Sequence, residues 1–257
     1  MSDGVKGKAR IFVALDVDTL EQAEALVVQL APYVGGFKVG LQLVTAAGLE
    51  NVVKMIYRHQ SRVFVDLKLH DIPETVGKAS KVIAGLQAMF FNLHASAGIK
   101  AMTEAVKNRG SSRVLAVTVM TSLSEEETHL MYGDPVKAKV LQFARDAKTA
   151  GVHGLICSAK EVEFLRAQPE LVSLTLVTPG IRPAWSKKND QERVTTPADA
   201  VKFGTDYMVI GRPITNPPAE IGGPVDAVKK IIEEIKYAEN ELGIKEEEEE
   251  HQPPEAK

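Results

Sequence analysis

Eight short β-rich runs recur along this 257-residue chain, and segments with helical periodicity lie between them. Strands that alternate with helices favour a parallel sheet, and eight is the number of strands that closes a (β/α)8 TIM barrel. An open doubly wound sheet usually has fewer strands and a glycine-rich first turn, whereas the first turn here, DVDTLEQA, contains no glycine. The predicted strands cover 10–17, 35–41, 62–69, 88–95, 113–121, 153–159, 174–181 and 206–214.

One barrel domain is predicted over residues 10–243, after a short N-terminal extension at 1–9. Among the helices, DPVKAKVLQFARDAKTAG is expected to begin at Asp134, before a proline, and to end at Gly151. The acidic, proline-containing segment 244–257 is predicted to be a disordered tail.

Composition excludes several classes of function. The formal net charge of −3 provides no basic excess to attract nucleic acid, and no run of eighteen apolar residues is present to cross a membrane. The N-terminus lacks an apolar signal core, and the single Cys157 cannot form an internal disulfide, so we expect a cytoplasmic protein. Cys157 reads as a core residue, and no spaced Cys/His set indicates structural zinc.

Charged residues interrupt the third predicted strand, in VFVDLKLHDIPETV. Because residues two apart in a strand share a face, Asp66 and Lys68 should point into the barrel near the C-terminal end, where enzymes of this fold place their chemistry. Asp16 and Lys38 occupy similar places on the first two strands. Two charges of each sign nearly balance, as burial requires. The alternative interpretation is a structural ion-pair network around the rim.

Asp71 lies beyond this strand, beside IPET, where Pro73 suits the first turn of a helix. Its carboxylate could cap that helix or belong to the site, and the residues alone leave both interpretations open.

A phosphorylated ligand is indicated by the last two loops on the same end of the barrel. The polar loop at 178–197 is long for a barrel connection, which is typical of a lid. The eighth strand ends in VIGRPIT, and barrels commonly hold phosphate between the loops after strands 7 and 8. Gly211 would allow a close backbone approach, Arg212 offers a bidentate guanidinium, and Arg182 is a second candidate.

The segments DLKLHDIPET, TPGIR, DQ followed by TP, and IGRPI resemble the orotidine 5′-phosphate decarboxylase family, in family order and from about Arg10 to about Pro217. The resemblance implies a (β/α)8 barrel that works as a homodimer. It further implies conversion of orotidine 5′-phosphate to UMP and CO₂ in de novo pyrimidine biosynthesis, without a metal or organic cofactor.

The resemblance also implies roles for individual residues. The catalytic array would be Lys38, Asp66, Lys68 and Asp71, with Asp71 supplied by the partner subunit. The substrate-binding positions would be Asp16 and Lys38 with the partner's Thr75 at the ribose, Thr121 at the pyrimidine edge, Gln191 between base and phosphate, and Arg182 and Arg212 at the phosphate.

Neighbouring positions receive supporting roles in the same comparison. Ile72 is expected to line the partner's pocket, His70 to pack, and the inward-facing Asn92 and His94 to supply hydrogen bonds. Trp185 stands where the family has a small residue, so the packing of the lid is expected to differ.

Two alternatives remain at this stage. A Mg²⁺-dependent sugar-phosphate decarboxylase or aldolase of the same superfamily would share the Asp-x-Lys-x-x-Asp strand but need additional carboxylate ligands. A catalytically silent nucleotide-binding barrel would have no need of Lys68 between two aspartates.

Overall fold

Eight parallel strands close on themselves in the computed structural model, which describes residues 5–186 and 195–244. The predicted TIM barrel is confirmed, since each strand pairs with the next and the first pairs with the last. The strands are β1 (Ile11–Ala14), β2 (Gly36–Gly40), β3 (Val63–Leu69), β4 (Phe90–His94), β5 (Arg113–Val117), β6 (Gly154–Ile156), β7 (Thr175–Pro179) and β8 (Tyr207–Ile210).

All eight predicted strands exist, but several were predicted too long at their C-terminal ends. The eighth was expected to reach residue 214 and ends at Ile210, because Arg212–Thr215 forms a short helix with a proline in its first turn. The first was expected to reach residue 17 and ends at Ala14. The chain leaves the sheet earlier at this end because it turns there to enter the helices.

The helices surround the barrel and connect its strands. They are α1 (Leu20–Leu30), α2 (Leu41–Ala47), α3 (Leu49–Arg58), α4 (Pro73–Gly85), α5 (Ile99–Lys107), α6 (Glu125–Tyr132), α7 (Val136–Thr149), α8 (Ala159–Arg166), α9 (Pro197–Phe203), α10 (Arg212–Thr215) and α11 (Pro224–Glu241). Among the residues described, none of these helices has the length and apolar character needed to cross a membrane.

The start of α7 differs from the prediction. Pro135 is the N-cap and the helix begins at Val136, so Asp134 lies before the helix. Its carboxylate instead forms an ion pair with Lys139 Nζ at 2.6 Å. Gly151 lies two residues beyond the end of α7 with a φ of 78°, a left-handed conformation that favours glycine and ends a helix.

The strands divide the core into two layers, as the alternation of residues predicted. Val63 and Val65 of β3 face the helices, while Phe64 faces the barrel interior. Four rings, Phe12, Phe64, Phe90 and Tyr207, meet edge to face inside the barrel with centroids 5.1 to 6.2 Å apart. This aromatic cluster fills the barrel interior near the N-terminal ends of the strands, so the open space lies at their C-terminal ends.

A buried ion pair lies at the N-terminal end of β1. Arg10 Nε donates to Glu239 Oε1 of α11 at 2.6 Å, and the Gly7 backbone N–H donates to the same carboxylate. Arg10 also donates to the carbonyl of Thr205 before β8. These contacts attach residues 7–10 to the barrel. Of the predicted tail at 244–257, all but Ile244 lies outside the described residues.

Glu161 in the first turn of α8 has an unusual titration. Its side chain accepts from the Ser158 backbone N–H at 2.8 Å, completing a capping box. Burial raises its pKa to about 7 from 4.5, against the opposing effects of that hydrogen bond and of Lys160. The native state therefore binds a proton at Glu161 between about pH 4.5 and 7 that the unfolded chain releases, and the free energy of unfolding falls as pH rises through this range.

We expect Glu161→Gln to be more stable than the wild type above pH 7, by about 1 to 3 kcal/mol, because glutamine keeps the acceptor and removes the buried charge. Below pH 4.5 the two proteins should have similar stability. Urea unfolding at pH 8 and pH 4.5 measures both values. Glu21→Gln in the first turn of α1 is the control. Hydrogen bonds lower the pKa of Glu21, so removal of its charge should not raise the free energy of unfolding. An equal gain for Glu161→Gln at both pH values would contradict the assignment.

Candidate functional site

A cavity of about 350 Å³ opens at the C-terminal ends of the strands. Its walls are formed by strand ends on one side and by the loops after β7 and β8 on the other. The cavity brings together most of the residues that the sequence singled out, namely Asp16, Lys38, Asp66, Lys68, Thr121, Arg182, Gly211 and Arg212.

Four of these side chains form one continuous chain of ion pairs. Lys38 Nζ lies 3.1 Å from Asp16 Oδ1 and 3.2 Å from Asp66 Oδ2. Lys68 Nζ lies 2.6 Å from Asp66 Oδ1. The two central side chains, Lys38 and Asp66, are each only 10% exposed, whereas Asp16 is 56% and Lys68 is 37% exposed. The network therefore has a mostly buried centre and two more exposed ends, and all four side chains line the cavity.

The charge of Asp66 is fixed by its surroundings. Burial alone would raise the pKa of this carboxyl, but the ammonium groups of Lys38 and Lys68 and hydrogen bonds from Lys68 and Asn92 outweigh burial and lower its pKa. Asp66 is therefore ionised at neutral pH. The result is a permanent negative charge in contact with an ammonium group that is open to a ligand.

Lys68 reaches the cavity through an irregular backbone that the sequence did not reveal. Its φ is +52°, a left-handed value that is rare for a residue other than glycine and is concentrated at functional sites. No local signal pointed to it, because lysine has no preference for this conformation. The regular alternation correctly placed Lys68 on the inner face but could not foresee the departure of β3 from ideal geometry.

The two histidines near Lys68 pack against each other. The rings of His70 and His94 have centroids 5.3 Å apart. Burial is the largest cause that lowers the pKa of His94, and the neighbouring His70 ring and Lys68 ammonium act in the same direction, so the neutral form of His94 is favoured. The His94 side chain makes this ring contact and no side-chain hydrogen bond among residues 5–186 and 195–244, whereas the Asn92 side chain forms the expected hydrogen bonds. The hydrogen-bonding role of His94 stays a prediction.

Asp71 and Thr75 lie outside this cavity, on the exposed surface that follows β3. Ile72 is the N-cap of α4 and has no side-chain cap, so Asp71 does not occupy the capping position considered for it. Its carboxylate accepts from the Ile72 backbone N–H at 2.7 Å. Ile72 itself is 65% exposed.

The loop after β7 is described only at its ends. The Arg182 backbone N–H donates to the Thr195 carbonyl at 3.0 Å, which draws the two ends together. Trp185 is partly buried against the outer core. Gln191 and its neighbour Asp190 lie outside the described residues.

The loop after β8 contributes Gly211 and Arg212 to the lining of the cavity. Gly211 is the N-cap of α10, and a methyl group at its Cα would lie 3.5 Å from Ala14 Cβ. That is an ordinary contact distance, so a side chain at position 211 would not clash with β1.

Metal ligation by this site was considered from its donor set. The described ranges contain no group of three or more His, Cys, Asp or Glu side chains that could hold a metal ion. The two carboxylates of the cavity, Asp16 and Asp66, are both in contact with the Lys38 ammonium, which takes the position between them.

Fold and cavity together define a (β/α)8-barrel enzyme whose charged site lies at the C-terminal mouth of the barrel. The chain belongs to the orotidine 5′-phosphate decarboxylase / HUMPS family, whose sequence model matches residues 9–231.

Individual relatives agree with this assignment. A protein of Syntrophomonas wolfei named orotidine 5′-phosphate decarboxylase is 45% identical over 246 residues, covering 90% of this chain and 100% of that protein. One of Geotalea daltonii with the same name is 43% identical and covers 90% and 97%. The crystal structure of orotidine 5′-phosphate decarboxylase from Lactobacillus acidophilus superposes with a TM-score of 0.74 at 33% identity, over 88% of this chain and 98% of that one.

Proposed function

We propose that this protein is a carboxy-lyase that converts orotidine 5′-phosphate to UMP and CO₂ in pyrimidine biosynthesis. The observation that carries the proposal is the ion-pair chain that ends in Lys68, whose ammonium faces the cavity while Asp66 holds it at 2.6 Å. The names of the relatives at 45% and 43% identity supply the substrate.

The chemistry requires stabilisation of a carbanion. When the bond between C6 and the carboxylate breaks, the electron pair stays on C6, which has no adjacent carbonyl or imine to receive it. A cation held beside C6 stabilises that charge electrostatically and can then deliver a proton. Lys68 fits both roles in this proposal, because its ammonium donates its proton to C6 and regains one from solvent after the product leaves.

Asp66 contributes through its fixed charge. It holds the Lys68 ammonium at 2.6 Å, and it would lie near the substrate carboxylate, whose loss as neutral CO₂ relieves the repulsion. Two unit charges about 4 Å apart interact by roughly 4 kcal/mol at an effective dielectric constant near 20. Enzymes lower barriers by about 8 to 23 kcal/mol, so one pair is not sufficient. Binding energy from the phosphate and ribose would supply the remainder by holding the base in place.

The rest of the cavity is assigned to the other parts of the nucleotide. Arg182, Gly211 and Arg212 would hold the phosphate, and Thr121 would meet the pyrimidine edge. Asp16 and Lys38 would hold the ribose hydroxyls. Gln191, which lies outside the described residues, is assigned between the base and the phosphate by resemblance alone.

A homodimer with shared sites is part of the same proposal. Asp71 and Thr75 are exposed and lie outside their own subunit's cavity, as residues that serve a partner's site would. The exposed Ile72 beside them is suited to burial against that partner. We also assign the protein to the cytoplasm, with no organic cofactor or metal.

The position of Lys38 bears on two alternatives, namely the HUMPS proteins that share the family's description and the Mg²⁺-dependent sugar-phosphate enzyme. Its ammonium lies 3.1 Å from Asp16 and 3.2 Å from Asp66, where a divalent ion bridging these carboxylates would have to be. We therefore expect the purified protein to consume orotidine 5′-phosphate equally well with and without EDTA, followed by ultraviolet absorbance. Activity lost in EDTA would favour the rival, and binding of UMP without turnover would favour a silent barrel.

Lys68→Ala should reduce turnover by more than about 10³-fold, because it removes both the stabilising charge and the proton donor. UMP binding should remain measurable by calorimetry. Lys78→Ala on α4 is the matched control, since Lys78 is an exposed lysine paired with Glu74 and should leave turnover unchanged. Near-normal turnover of Lys68→Ala, purified free of host enzyme, would refute the assigned proton donor.

Arg212→Ala should raise KM by about 10- to 100-fold, with a smaller loss of kcat, because a charge-assisted contact to phosphate is removed. Arg145→Ala removes an exposed arginine that pairs with Glu170 on the outer surface and serves as the control. Steady-state kinetics of both variants give the comparison. An unchanged KM for Arg212→Ala would take this residue out of the phosphate site.

A further inference from the structure

The hydrogen-bond ladder between β3 and β4 is interrupted beside the cavity. Val65 is aligned with Phe91, but the next aligned pair is Leu69 with Leu93. Four residue steps on β3 therefore correspond to two on β4. Residues 66–68 bulge away from the regular ladder, and this stretch contains both Asp66 and Lys68. Bulges of this kind redirect side chains and are frequent next to active sites.

The side chain of Asn92 on β4 occupies the interruption. Its Oδ1 accepts from the Lys68 backbone N–H at 2.8 Å, and its Nδ2 donates to Asp66 Oδ1 at 2.7 Å. Asn92 is 1% exposed, so water cannot readily replace either bond. The Asn92 amide thus accepts from the Lys68 N–H, which has no partner in the regular ladder. The same amide orients the Asp66 carboxylate, which holds the Lys68 ammonium.

We propose that Asn92 is a positioning residue, which fixes the left-handed backbone of Lys68 and the carboxylate of Asp66 so that the Lys68 ammonium faces the reacting carbon. The kinetic consequences of this inference rest on the proposed decarboxylase function. The structural role of Asn92 in holding the Lys68 backbone does not depend on that function.

The physical reason is that neither feature is stable by itself. A φ of +52° is unfavourable for lysine and persists only where surrounding contacts determine it. A buried N–H without an acceptor is likewise unfavourable, so a β3 strand without Asn92 would relax towards the regular ladder. That relaxation would return Lys68 to an extended conformation and displace its ammonium.

Asp66 is the group whose titration reports this contact. The charged and titratable groups around it are Lys38 from β2, Lys68 from β3 and His94 from β4, with Asp16 beyond Lys38. Loss of the Asn92 hydrogen bond leaves all of these in place and removes one contact that favours the ionised carboxyl. The acid limb of the rate profile should therefore move to higher pH.

Asn92→Leu tests the proposal, because leucine has a similar volume and removes both hydrogen bonds without opening a large cavity. We expect kcat for orotidine 5′-phosphate to fall by about 10- to 100-fold, the KM to change little, UMP binding to persist, and the acid limb of kcat/KM to shift to higher pH. Asn108→Ala at the end of α5 is the control, since it removes a similar amide, bonded to the Glu104 carbonyl, far from the cavity.

Asn92→Asp separates the two contacts. An aspartate at this position keeps an oxygen that accepts from the Lys68 N–H, but it replaces the amide that donates to Asp66 by a second acidic group, whose like charge or shared proton disturbs the Asp66 carboxylate. Backbone amide exchange measured by NMR should show Lys68 protected in the wild type and in Asn92→Asp, and unprotected in Asn92→Leu, while kcat falls in both variants.

Several results would overturn the proposal. These are a wild-type Lys68 amide that exchanges as fast as an exposed one, a kcat of Asn92→Leu within about twofold of the wild type, or a folded variant that loses UMP binding in proportion to kcat. If the leucine variant does not fold, the amide exchange of the wild type and the aspartate variant decides the question. Absence of decarboxylation by the wild type would defeat the proposed function, whereas the amide measurement would still test Asn92.

Discussion

A buried carboxylate is stable only when opposite charges and hydrogen-bond donors compensate it, and the mouth of this barrel is organised around that requirement at Asp66. Lys38 approaches from β2, Lys68 from β3 itself and Asn92 from β4, so three adjacent strands must be in register for the charge to be tolerated. The same three contacts keep the carboxyl ionised. Stability of the site and its electrostatics therefore depend on the same atoms.

The interior of the barrel separates this polar region from the apolar packing that holds it. Phe12, Phe64, Phe90 and Tyr207 fill the lower interior, and Phe64 lies on the strand that also supplies Asp66. A rigid aromatic cluster beneath the charges limits how far the side chains above can relax. Charges held in fixed positions stabilise a transition state more effectively than flexible ones. The aromatic cluster therefore supports the site by keeping the charged side chains above it in place.

Much of this arrangement could be predicted from the sequence, because period-two alternation places Asp66 and Lys68 on the inner face of β3. The alternation could not reveal the bulge in β3. The bulge depends on how β3 is aligned with β4 and on the Asn92 side chain of β4, which bonds the Lys68 N–H of β3. Strand ends were also predicted too long, as at β8, because apolar residues continue into the following helix. Gln191 stays a prediction from resemblance alone.

The exposure of the ion-pair chain gives a reason for its length. A single pair at the cavity would be either buried and unreachable or exposed and weakly held. Here Lys38 and Asp66 in the centre are mostly buried, while Asp16 and Lys68 at the two ends are the more exposed of the four side chains that line the cavity. The buried centre fixes the positions of the ends, and the ends remain free to meet different parts of a ligand. Two separated points of contact also define an orientation, which a single charge cannot do.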